Sequence, residues 1–221
     1  MKVAIMQPYF MPYAGYFRLF AAADVFVALD CVQFPRRGWV HRNRFTDGNG
    51  ETQWLTVSLK KGDRDTTRIC DLRFQDNVKM VLLEETKRFP ALKRIGETHS
   101  DLADLLFDLG NDPTDYLIST LTKMAGVLGL HRPVIRSSIL NVDPQFKAQQ
   151  RIIEIATRVG ATGYINAPGG KDLYDEAVFK KAGLTLDFLP DYQGGFTSIL
   201  ERVIDDGIDL VAEEIHQNLL A

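Results

Sequence analysis

The chain opens with a short apolar run, Val3 to Met6, that stops at Gln7-Pro8. Apolar residues then recur at helical spacing through Phe17, Leu19, Phe20, Ala21 and Ala23, and Val25 to Leu29 is a second short run closed by Asp30. The pattern predicts strand, loop, helix, strand. With the strands parallel and the helix packed across them, the loop after the first strand lies at the carboxyl edge of a sheet, where α/β proteins bind ligands.

Further on, Trp39 to Phe45 and Thr52 to Leu59 flank Thr46-Asp47-Gly48-Asn49-Gly50, whose Asp-Gly and Asn-Gly steps predict a hairpin. Extended backbone from Trp39 to Phe45 would place Trp39, His41, Asn43 and Phe45 on one face and Val40, Arg42 and Arg44 on the other. Ile69 to Phe74 reads as one more strand. Helical spacing follows over Asn77 to Arg88, Leu92 through Leu109, and Tyr116 to Leu128, the last opened by Pro113 and carrying Leu117, Leu121, Met124, Ala125 and Leu128 on one face. The alternation then resumes: strands at Val134-Ile135, Gly163 to Asn166 and Leu184 to Leu189, with helices over Pro144 to Val159 and Tyr174 to Lys181. Helices over Phe196 to Val203 and Leu210 to Leu220 close the chain. The fold class predicted is α/β: one three-layer domain over residues 1–221, a mainly parallel Rossmann-like sheet, an added hairpin, and a helical insertion at 77–130 that either buries the sheet or covers the site.

Composition narrows the function. With 45% hydrophobic and 25% charged residues the chain is ordinary for a soluble domain. No stretch is long and apolar enough for a membrane span, and Met1-Lys2 runs straight into a strand, so the expected location is cytoplasmic, with no membrane partner. A net charge of −3 leaves no electrostatic footprint for nucleic acid. Cys31 and Cys70 are too few for a disulfide framework and lack zinc-knuckle spacing, and no histidine pair has metal-ligand spacing, so no metal is expected; nor is a bound cofactor.

The opening loop holds Tyr9, Tyr13 and Tyr16 with Pro8 and Pro12, a rigid aromatic surface suited to a small, partly apolar substrate. Gly15 stands alone, without the glycine fingerprint of a dinucleotide fold. Arg36, Arg37, Arg42 and Arg44 with His41 form the densest basic segment, read either as a clamp on an anionic donor or nucleotide-sugar diphosphate, or as a solvated hairpin edge. Asn166-Ala167-Pro168-Gly169-Gly170-Lys171 offers backbone amides to an anion, or is a tight connection needing glycine. His41, kept neutral by flanking arginines, is the candidate base, against a structural role; His99, His131 and His216 sit in helical or loop contexts with nothing convergent. Asp30 either takes a proton from an ammonium group and bonds a sugar hydroxyl, or caps a turn. No Ser-His-Asp order or nucleophile elbow is visible.

Several stretches carry a resemblance: Met6-Gln7-Pro8-Tyr9 with Pro12, Gly15-Tyr16-Phe17, Asp30, and Val32-Gln33-Phe34. Trp39 with Arg42-Asn43-Arg44, Trp54-Leu55-Thr56, Tyr164-Ile165-Asn166 before Gly169-Gly170, Leu173-Tyr174 and Phe188-Leu189 follow in order. Together they resemble the WbqC-like proteins, found in bacterial gene sets for O-antigen and other surface polysaccharides and supposed to modify amino sugars. The chain departs from that pattern at Cys31, where relatives tend to have aspartate, and in its closing segment, reduced to Phe196, Ser198-Ile199-Leu200 and Glu201. The resemblance implies transfer of an acyl or aminoacyl group, glycyl included, to the amine of a nucleotide-linked amino sugar. An activated donor, an acyl carrier or aminoacyl-tRNA, would be the cosubstrate. A noncatalytic nucleotide-sugar or carrier-binding module is the alternative. A divergent nucleotidyltransferase-like enzyme is another, because Tyr13-Ala14-Gly15-Tyr16 stands where those enzymes carry His-x-Gly-His. One pocket is expected to gather Gln7, Tyr9, Tyr16, Asp30, Gln33, His41, Arg42, Asn43 and Asn166, beside Gly169 and Gly170. In it His41 and Asp30 would be catalytic and the others would bind substrate.

Overall fold

The computed structural model describes residues 1–98 and 100–220; His99 lies outside the described residues. The first unit forms as its periodicity dictates: β1 (Lys2–Met6), α1 (Ala14–Ala22) and β2 (Val25–Ala28). The hairpin is β3 (Arg42–Thr46) and β4 (Thr52–Thr56), and the helical segment is α2 (Val78–Thr86), α3 (Pro90–Thr98), α4 (Ser100–Phe107) and α5 (Pro113–Val127). After it come β5 (Val134–Arg136), α6 (Ala148–Arg158), β6 (Gly163–Asn166), α7 (Glu176–Lys181), β7 (Thr185–Phe188), α8 (Ile199–Asp206) and α9 (Ile208–Leu220).

Five strands form one all-parallel sheet in the order β5-β2-β1-β6-β7, and β3 and β4 pair antiparallel on their own. The class is α/β with a Rossmann-like layout. β1 is central, so Val3, Ala4 and Ile5 are all buried, as a strand covered on both faces requires. Alternate residues divide between two cores. Val3, Ile5, Val25, Val27 and Tyr164 pack with Ile152, Ile155 and Ala156 of α6 and Phe179 of α7. Ala4, Phe26, Ala28 and Ile165 face a larger core with Phe17 and Phe20 of α1, Phe45 and Leu55 of the hairpin, and the helices α2 to α5, α8 and α9.

Three expectations are corrected. Ile69 to Phe74 is not a strand: Ile69–Asp71 is a 3-10 turn, because the Asp71 carboxylate takes the Arg68 side chain at 2.8 Å and closes the turn locally. Only Phe74 keeps a bridge, to Leu59. The hairpin strand starts at Arg42, not Trp39, since the Arg42 guanidinium donates back to the carbonyls of Arg37 (2.8 Å) and Gly38 (3.1 Å) and bends the segment between them. Trp39 therefore joins Trp54 and Arg44 on the opposite side from buried Asn43 and Phe45. The helix expected from Pro144 starts at Ala148, after a turn in which Asp143 accepts from the amides of Gln145 and Phe146. No helix among the described residues is long and apolar enough to cross a membrane.

Candidate functional site

In a parallel sheet of this order the direction of winding reverses between β1 and β6, and the crevice beyond their carboxyl ends is the natural ligand position. The opening loop forms its near wall and is held from three sides. Phe10 donates its amide to the Trp39 carbonyl at 3.1 Å. Asn43, fully buried, donates through Nδ2 to the carbonyls of Phe10 (3.1 Å) and Met11, and Ser198 Oγ donates to the same Met11 carbonyl at 2.9 Å. Met11 needs this support: its φ of 43° is left-handed, a conformation unfavourable for a residue with a side chain. Tyr16 Oη donates to the Gln7 carbonyl at 2.7 Å, tying α1 to the end of β1.

Gly15 completes the wall. A Cβ there would run into the Tyr13 ring and lie 2.7 Å from the Tyr192 ring. Glycine to alanine inside a helix normally stabilises by roughly 0.5–1 kcal/mol; here Gly15→Ala is expected to destabilise by about 1–3 kcal/mol through overpacking. Denaturant unfolding of the two proteins checks the sign.

The crevice is a cavity of about 570 Å³, within the size range of small-molecule sites. Gln7, Tyr9, Tyr13, Tyr16, Trp39 and Arg44 line it from the loop and hairpin; Tyr164, Asn166, Gly169, Gly170 and Tyr174 line it from β6 and the turn after it. Leu173 and Phe196, both exposed, stand at its mouth. No carboxylate and no imidazole is among the described residues that line it. Burial raises the phenols of Tyr9 and Tyr13, so both stay neutral donors near pH 7. Tyr164 Oη is buried without a hydrogen-bond partner. Asn166 spends Oδ1 on the Ala167 amide at 2.8 Å, leaving Nδ2 to face the cavity. Arg44 lies against a pair of packed indoles, Trp39 and Trp54, each 5.1 Å from its guanidinium carbon, and makes no ion pair among the described residues. It is the single cation among the described lining residues.

The model of the WbqC-like protein family matches residues 7–196. The chain belongs to the WbqC-like family. It is also 26% identical over 206 residues to the uncharacterized protein Rv1507c of Mycobacterium tuberculosis, an alignment covering 87% of this chain and 83% of that one. No solved structure matches the chain.

Of the expected site residues, Gln7, Tyr9, Tyr16, Asn166, Gly169 and Gly170 meet at the cavity. The expected single pocket nevertheless divides, and the other five stand elsewhere. Asp30 is fully buried, with its carboxylate taken up by Arg136 Nε (2.8 Å), Ser137 Oγ (3.0 Å), and Ser138 through its amide (2.7 Å) and Oγ (2.7 Å). With four donors on two oxygens it is a joint between β2 and β5, not a free base. His41 lines a second cavity, which shares no residue with the first. Its imidazole is neutral as expected, yet the first cause is burial, with Arg42 adding to it. Arg42 is spent on the 37–42 bend and on the Trp54 ring, 4.1 Å away; Asn43 is spent on the loop carbonyls. Gln33 is exposed and pairs with Arg68 in an isolated bridge, its Nε2 on the Arg64 carbonyl.

Of the two readings of the glycine turn, Gly170 takes the tight connection. Residues Pro168–Leu173 are a 3-10 turn, and the Gly170 amide is already given to the Ala167 carbonyl at 3.0 Å. Gly170 matters because a Cβ there would occupy the position of Asn166 Nδ2. In the closing segment Ser198 holds Met11, and Glu201 accepts from Thr46 N (2.7 Å) and Oγ (2.6 Å), pinning the hairpin to α8. Sequence reasoning missed Trp39, Arg44, Tyr164 and Tyr174 as lining residues. Arg44 was in view as part of the basic segment, but the strand start that turns it toward the cavity depends on the Arg42 bend.

Proposed function

We propose that the protein is an enzyme of surface-polysaccharide biosynthesis that transfers an acyl or aminoacyl group, glycyl included, from an activated donor to the amine of a nucleotide-linked amino sugar. Family membership supports the pathway, and the observation that supports the chemistry is the aromatic cavity at the switch point, with one cation and no carboxylate among its described lining residues. Aromatic faces suit a sugar or base, and Arg44 suits a phosphate oxygen. A sugar ammonium entering such a cavity loses hydration and finds no counter-charge, so its neutral, nucleophilic form is favoured without a side-chain base. That amine attacks the donor carbonyl, the new C–N bond forms as the leaving group departs, and the amine's proton goes to the leaving group or to solvent. Asn166 Nδ2 and the neutral phenols supply hydrogen-bond donors for the oxygen that gains charge, and holding the two reactants together provides the rest.

The same lining favours a second reading, a noncatalytic nucleotide-sugar or carrier-binding module, because no group in it is an evident proton acceptor. The nucleotidyltransferase comparison is weaker: Tyr16, standing at a histidine position, is spent on the Gln7 carbonyl. Calorimetry with a nucleotide-linked amino sugar, followed by mass analysis after incubation with thioester, adenylate and aminoacyl-tRNA donors, separates the readings. The expected result is saturable binding and a mass gain on the sugar, both reduced roughly tenfold or more by Asn166→Ala. Binding without mass gain from any donor supports the module; no binding removes both readings.

A further inference from the structure

A second cavity of about 350 Å³ lies where β4 runs into the loop that follows it. Its lining is chemically opposite to the first. Arg36, Lys60 and Lys61 stand in it with His41, hydroxyls of Thr56, Ser58 and Thr67, and one carboxylate, Asp63. For a chain of net charge −3 this is a local excess of positive charge.

The cations are held apart from strong internal partners. Arg36 is fixed in place by Nη2 donating to the Gly62 carbonyl at 2.6 Å, a neutral acceptor; it makes no ion pair among the described residues, and Asp63, whose carboxyl it helps to hold below its usual range, is the opposite charge nearby. Lys61 makes no ion pair among the described residues, and Lys60 pairs only with Asp76, whose side chain is 92% exposed, so that pair is weak. The Asp63 carboxylate turns its Oδ1 inward to its own loop, accepting from Asp65 N, Thr66 N and Thr66 Oγ, each at 2.9 Å. Gly62 lets this loop close: a Cβ there would collide with Thr67 Oγ. The last observation is His41, whose buried Nδ1 has no hydrogen-bond partner. A buried polar nitrogen costs free energy until a partner reaches it.

We propose that this cavity is a binding site for a diphosphate group, held by Arg36, Lys60 and Lys61 with His41 at its inner wall. Three cations around one pocket call for a ligand carrying more than a single negative charge, and the surrounding hydroxyls can donate to its remaining oxygens. The proposal does not depend on the transfer reaction, since this cavity and the aromatic one share no lining residue. It assigns the diphosphate to a different place from the phosphate that Arg44 would meet.

The test is calorimetric titration with inorganic pyrophosphate and, separately, with uridine diphosphate, on the full chain. Pyrophosphate is expected to bind saturably, and the double variant Arg36→Ala with Lys61→Ala to bind it about 10- to 100-fold more weakly, while Arg44→Ala leaves its affinity unchanged. If uridine diphosphate competes with pyrophosphate and is lost in the same double variant, the diphosphate belongs to a nucleotide; if it does not compete, the free anion is the ligand. The imidazole nitrogen resonances of His41 in the unmodified protein should move on adding pyrophosphate, a readout that needs no variant. No saturable binding, binding that survives the double variant, or binding lost only in Arg44→Ala would each overturn the proposal. The last of these would leave the aromatic cavity's reading intact.

Discussion

Asp30→Ala is expected to cost roughly 3–5 kcal/mol of folding stability, the range for removing one partner from a buried ion pair. The carboxylate is fully buried and satisfies Arg136, Ser137 and Ser138, all on the segment that includes and follows β5. Without it the Arg136 guanidinium keeps only Asp115, which is 68% exposed, and the Ser138 amide loses its acceptor. Because β5 is the edge strand next to β2, the damage should centre on that edge. Asp30→Asn keeps the shape and one carbonyl acceptor and should cost less. Denaturant unfolding of the three proteins checks this, and a catalytic base would behave otherwise: Asp30→Asn would then fold like the parent and lose turnover. Stability within about 1 kcal/mol of the parent for Asp30→Ala would contradict the structural role.

The second large effect is on acid stability. Burial, then the neighbouring Arg42, lowers the His41 imidazole from the usual 6.5 to about 4. The folded state thus holds this proton more weakly than the unfolded chain does. The associated stability is fully present above pH 6.5, the unfolded value, and is lost as pH falls toward and through 4. By linkage the whole difference is on the order of 3 kcal/mol. His41→Leu should remove that dependence, so its stability falls less than the parent's between pH 7 and pH 4. At pH 7 the leucine variant should be near neutral, because the buried Nδ1 that it removes has no partner. Chemical denaturation of both proteins at pH 7, 5.5 and 4 is the measurement. Parallel pH profiles would show that His41 is solvated enough to titrate normally.

What could be read in the sequence was whatever short-range periodicity controls. Val3 to Met6, the helical spacing from Phe17 and the run from Val25 make a strand, helix and strand because each pattern is complete within a few residues. A parallel pair so connected has only one carboxyl edge, so Gln7, Tyr9 and Tyr16 had to meet there. Asn166, at the end of another parallel strand, had to arrive at the same edge.

Tertiary structure alone decided the jobs of the polar residues near that edge. Asp30 ends its strand where a catalytic carboxylate would, and only the return of Ser137 and Ser138, more than a hundred positions later, makes it a joint. Strand alternation placed His41 with Trp39; the bend held by Arg42 sends His41 to a separate cavity and turns Trp39 and Arg44 to the aromatic one. Asn43 reads as a substrate ligand until the left-handed Met11 and the carbonyls it exposes are in place. In each case a polar group took the nearest unsatisfied partner that folding delivered, because leaving a buried donor or acceptor unpaired costs more than any local preference of the chain.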